Sequence, residues 1–143
     1  MDNVQASKVM YGTYTDLWID GVKIGEATEC KATLAADKIE VKLARHMGKC
    51  YKVVGYTGKG SLKMHKVSSY MIKKIAPSIK QGRQVLCEVI SKVDDPDAIG
   101  AERVALHNVL FDAVDVVNWG VGKLGEEDYN FTFEDYDLLD AAE

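Results

Sequence analysis

Between Tyr51 and Gly82 the hydrophobic residues change their spacing once, and that change limits the folds open to the chain. From Tyr51 to His65 they fall mostly at every second position (Val54 and Tyr56, then Leu62 and Met64), with Lys52, Lys59 and Lys63 interleaved. Period-two spacing predicts a strand with one buried and one wet face, and Gly55, Gly58 and Gly60 within it predict a turn, bulge or bend. After Ser68 and Ser69 the period becomes helical: Met71, Ile75 and Ile79 lie at i, i+4 and i+8. Either serine can cap the helix and Gly82 can stop it, while Pro77 inside it predicts a kink or break.

The remaining segments read as strand and turn. Gly12–Asp20 alternates and ends in Asp20-Gly21, a hairpin signal, after which a second strand is expected over Val22–Leu34. Lys38–Leu43 alternates cleanly, and Arg45, His46, Met47, Gly48 and Lys49 break the pattern as an exposed loop. Further strands are expected over Gln84–Val93, Glu102–Phe111 and Tyr129–Phe133, with a turn-rich loop at Asp94–Gly100. Asp112–Trp119 has no legible register, 120–125 is expected to be flexible or tightly turned, and the acidic tail beyond Tyr136 is expected to fray. Many short strands and a lone helix predict a mainly β fold, an antiparallel sandwich or barrel with one flanking helix, in a single domain over 1–143. The opening residues lack the basic and apolar regions of a secretory signal, and no run reaches the roughly 18 apolar residues of a membrane span, so no membrane anchor is expected.

Charge is distributed unevenly. Between Glu40 and Glu88 there are eleven basic residues and no Asp or Glu, so this stretch carries +11. The whole chain carries −4, which leaves −15 on the flanks. Three roles are open to such a split: neutralisation within one subunit, an anionic ligand, or complementary contacts between copies. Lys73 and Lys74, read on the exposed side of the helix, are candidates for a subunit contact.

No catalytic, metal or cofactor site emerges. Gly55–Ser61 resembles a phosphate loop, but Gly60 separates Lys59 from Ser61 and a strand follows where a helix must begin. The run from Asp95 matches a calcium loop for half its length and then offers Ile99 and Leu106 where acids belong. Cys30, Cys50 and Cys87 are too scattered for a disulfide framework or a zinc site, and each is expected to pack as a small buried hydrophobe. The chain is therefore expected not to be an enzyme and to need no cofactor.

Several segments, in order, resemble the tail tube proteins of PBSX-like prophages and R-type bacteriocins: Gly12-Thr13-Tyr14 with Trp18-Ile19-Asp20-Gly21, then Tyr51–Val67, Ser91–Val104, Gly122–Glu127 and Phe131-Thr132-Phe133. The resemblance implies a structural subunit of the inner tube of a contractile phage tail or tail-like bacteriocin. It implies hexameric rings stacked into a hollow tube, a surrounding sheath, baseplate or initiator and tape-measure proteins as partners, and DNA in the lumen where the particle is a phage. Assembly is expected in the bacterial cytoplasm, before incorporation into the particle. It also implies an extended hairpin loop at Arg45–Lys49, expected to contact the next ring. The alternative of a different class is a small β-domain binding nucleic acid through the basic 41–87 segment. Tyr51, Tyr56 and Tyr70 stand near lysines there as stacking platforms, although a pI near 5.4 is low for such a binder.

Overall fold

The computed structural model describes residues 6–142. After a short 3-10 turn the chain forms β1 (Thr15–Ile19), β2 (Val22–Lys23), β3 (Ala27–Val41) and β4 (Cys50–His65). The helix α1 (Tyr70–Lys80) follows, then β5 (Cys87–Val93), β6 (Glu102–Phe111), β7 (Glu126–Phe133) and β8 (Asp135–Asp140). Every pairing is antiparallel, in the order β2-β1-β5-β6-β7-β4-β3, and β8 lies on the other side of β6.

β6 is shared between two pairings. Its first part lies between β5 and β8, whereas its last residues, Leu110 and Phe111, pair with Thr132 and Phe131 of β7. The turn between the two parts falls at Asn108, which has φ +54, a left-handed backbone that Asn tolerates better than most residues. Its amide donates to Glu134 Oε2 at 2.9 Å, and Glu134 N–H donates to His107 O at 3.1 Å. Leu110↔Thr132 and His107↔Asp135 keep one register across this corner, so β6 and the β7–β8 strand turn together.

The core collects alternate residues of these strands. Leu17 and Ile19, Leu62 and Met64, Val109 and Phe111, and Tyr129, Phe131 and Phe133 are all buried. Phe111 meets Tyr129 and Phe131 edge to face, with centroids 6.0 and 5.7 Å apart. Met71 and Ile75 bring α1 into the same cluster. Burying one such side chain contributes about 1.5–3 kcal/mol, enough to fix which face of the helix turns inward.

Three expectations are corrected. The helix is not interrupted at Pro77: it continues to Lys80 and closes at Gly82 (φ +72), where Gly82 N–H donates to Ile79 O and Arg83 N–H to Ser78 O. The strand expected over Val22–Leu34 stops at Lys23, and Ala27–Val41 instead forms one long strand. The acidic tail forms β8, tied to β6 by its ladder and by His107 Nε2 at 2.7 Å from Asp137 Oδ2.

The glycines of β4 have a different use from the expected bend. Gly58 and Gly60 lie directly opposite Phe133 and Phe131, and a Cβ on Gly58 would come within 2.6 Å of Phe133 O and 2.7 Å of its ring. Their missing side chains let two aromatic rings lie across the strand. The expected bulge does occur beside Gly55, where the β3–β4 register shifts between Asp37 and Lys38.

Candidate functional site

β4 pairs with β7 only from Gly58 to His65. Beyond that point Cys50–Thr57 pair only with β3, and apart from its two end residues β3 is exposed throughout. The result is a two-stranded arm that leaves the body of the molecule. It is anchored at its root by the Tyr56 hydroxyl, which donates to Glu134 O at 2.7 Å. Leu34, Ile39, Tyr51, Val53, Val54 and Tyr56 are all exposed along it. An isolated two-stranded ribbon is marginal in water, and an exposed, long, apolar edge invites pairing with another chain.

The tip of the arm carries the predicted loop. Arg45, His46, Met47, Gly48 and Lys49 are exposed, and Arg45 adopts φ +61 to turn the chain. His46 Nδ1 lies 3.0 Å from Gly48 O and 3.5 Å from Cys50 Sγ, so the two soft ligands that the 46–50 segment offers do meet beside the tip. The cysteines divide accordingly: Cys87 is buried, Cys50 is half-buried beside the tip and Cys30 is exposed on β3, so uniform burial is corrected. For Cys87, burial and then the nearby Asp20 carboxylate push the thiol above its ordinary range.

The two helix lysines separate. Lys73 is exposed, but Lys74 is half-buried and its Nζ lies 2.5 Å from Asp20 Oδ2. Asp20 also accepts from Glu88 N–H at 2.8 Å through Oδ1. Its partial burial raises its pKa, but the hydrogen bonds from Lys74 and Glu88 and the Lys74 charge outweigh this and hold the carboxyl below its ordinary value. The hydrogen bond that Lys74 donates to Asp20 correspondingly raises the Lys74 pKa. This pair ties the helix to the β1–β2 turn, where Asp20 and Gly21 both have positive φ. Lys66 with Glu127 at 2.6 Å and Lys63 with Glu29 at 3.9 Å neutralise more of the basic middle within the subunit.

The motifs that resembled ligand sites have structural uses. Gly55–Ser61 is strand, with no helix at its end. Asp95 is buried and its carboxylate accepts from Tyr11 N–H at 3.0 Å and Asp97 N–H at 2.9 Å, which makes it a turn-former. Among the described residues no three His, Cys, Asp or Glu side chains cluster as metal ligands, and no helix is long and apolar enough to cross a membrane.

One surface had no sequence signal: the connection of residues 112–125. Asp112 N–H donates to Asn130 O, Asn118 Nδ2 donates to Asp115 Oδ2, and Gly125 O accepts from Lys66 N–H. Although held at these points, the loop exposes Val116, Val117, Trp119, Val121 and Leu124. With Lys66, Glu126 and Glu127 it encloses an open cavity of about 400 Å³. Glu127 itself is buried, and the Tyr129 hydroxyl is buried with no hydrogen-bond partner among the described residues; burial and then the Glu127 carboxylate push that phenol well above its usual range.

An antiparallel β body with one packed helix thus carries two uncovered apolar surfaces, the arm and the 112–125 loop. The chain belongs to the phage tail tube protein family, whose model matches residues 2–140. Solved structures share the fold. The tube-terminating cap of the anti-feeding prophage superposes with a TM-score of 0.74 at 9% identity, covering 98% of this chain and 97% of that one. The sheath–tube complex of an extracellular contractile injection system, PVC, in its extended state gives 0.73 at 7% identity, covering 96% and 100%. A Bacillus subtilis protein is 26% identical, with a TM-score of 0.55 over 94% of this chain and 98% of its own. No curated protein matches by sequence.

Proposed function

We propose that this chain, as one tail-tube domain over 1–143, forms the inner tube of a contractile tail or tail-like particle, as hexameric rings that stack around a lumen. The observation that carries this reading is the β3–β4 arm, whose outer half has no cover among the described residues although it carries apolar side chains along its length. A neighbour that covers the arm supplies burial that the monomer lacks, and a ring closed by such contacts leaves no edge open. In this reading Arg45–Lys49 reaches the next ring and Lys73 faces another subunit, while Lys74 serves the fold through Asp20.

The neighbours' names extend the reading to partners: an outer sheath, as in the PVC sheath–tube complex, and a baseplate and terminator at the two ends. An initiator and a tape-measure protein would set the start and length of the tube. DNA would cross the lumen in an infectious particle and be absent from a bacteriocin. Subunits would assemble in the bacterial cytoplasm and then remain in the particle, with a mechanical role that needs no catalysis and no cofactor.

The test is sedimentation and electron microscopy of the purified chain, whose monomer mass is 15.8 kDa. Ring or tube assemblies are expected, and replacement of His46–Lys49 by a short Gly-Ser turn should leave the fold intact and shorten the tubes. A chain that remains monomeric at every concentration, or that retains nucleic acid through the basic segment, would overturn the proposal.

A further inference from the structure

We infer that the cavity under the 112–125 loop receives the arm tip of another copy of this chain, an assignment that rests on the tube reading. The two surfaces are complementary in two respects. The cavity combines apolar walls, Val116, Val117 and Trp119, with the carboxylates Asp115, Glu126 and Glu127 and a single cation, Lys66, already committed to Glu127. The tip combines Lys42, Arg45 and Lys49 with two exposed apolar side chains, Leu43 and Met47. Within the tip segment 42–49 there is no acid to oppose that match.

The loop is also prepared for a partner. Trp119 is 78% and Val117 76% exposed, yet the backbone around them is fixed by Asn118, Asp112 and Gly125. An ordered loop that displays large apolar residues beside an open cavity loses little entropy when it docks. Met47 projects fully into solvent from the tip and its unbranched thioether suits an irregular apolar cavity. The tip and the cavity are different patches of one chain, so their contact is heterologous and propagates from copy to copy, as an open stack requires.

The experiment places benzoylphenylalanine at Met47 and mixes isotopically heavy and light chains before assembly. Irradiated assemblies are digested, and only heavy–light cross-links are counted, which excludes contacts within a subunit. The expected product joins residue 47 of one copy to a peptide from 112–125 of another. In parallel, acrylamide quenching of the wild type is compared with Trp119→Phe, which leaves Trp18 alone. The Trp119 contribution should become severalfold less quenchable on assembly. Cross-links that map elsewhere in assembled tubes, or Trp119 as quenchable in tubes as in monomers, overturn the inference while the tube reading stands. Absence of assembly overturns both.

Discussion

At Gly60 a single missing carbon decides a packing arrangement, because Phe131 lies across the strand where a Cβ would be, with Lys31 O only 2.6 Å from the same point. Gly60→Ala should therefore cost about 1–3 kcal/mol by overpacking, read as a fall in the urea midpoint at unchanged slope. Gly12→Ala, where nothing lies within 4 Å, is the control and should be near neutral. The Lys74–Asp20 pair makes a second prediction. A depressed Asp20 stabilises the fold above the ordinary value of 3.8 and loses this as pH falls through its lower folded value. A raised Lys74 stabilises below 10.5 and loses this as pH rises through its higher folded value. Urea titrations of Lys74→Met should differ from wild type most between about pH 5 and pH 9, and the difference should shrink in acid as Asp20 protonates. Both lysines of the pair Lys73 and Lys74 read alike in sequence, since the Asp20 that distinguishes them lies more than fifty residues upstream.

Among the elements, the arm is where stability should be least uniform. Residues 58–65 of β4 lie between two strands, but Cys50–Thr57 have β3 alone. Amides of the outer β3–β4 ladder should exchange with deuterium faster than those of the inner ladder in monomers, and should become protected on assembly. Equal protection of both halves in the monomer would contradict this. Elements with a clean period, such as Glu102–Phe111, were legible in the sequence to the residue. β8 was not, because Asp135, Asp137 and Asp140 suggest a solvated tail, and its strand state depends on β6 lying beside it. The helix was legible from its stripe and its Gly82 stop, but Pro77 misled: only one hydrogen bond is lost there, while Met71 and Ile75 hold the same helix to the core.

For the whole molecule, the charge split was visible as a total but not as a map. Lys63, Lys66 and Lys74 are paired within the subunit, and the rest of the basic middle divides between the arm with its tip (Lys42, Arg45, Lys49 and Lys52), Lys59 of β4, and the helix and its exit (Lys73, Lys80 and Arg83). The tip itself was legible because its loop breaks a strong alternation. The 112–125 surface was not, because its apolar residues follow no period and its cavity forms only when Lys66 and Glu127 arrive from other segments. The geometry of the long hairpin has one more consequence. Seven of its fourteen paired positions, from Ala35↔Thr57 to Val41↔Cys50, lie on the arm, with hydrogen bonds perpendicular to it. A pull along the arm loads those rungs together in shear, whereas a sideways pull at the tip opens them one at a time, like a zip. A subunit built this way is stiff in one direction and yielding in another, so its resistance to force depends on how the arm lies relative to the thrust.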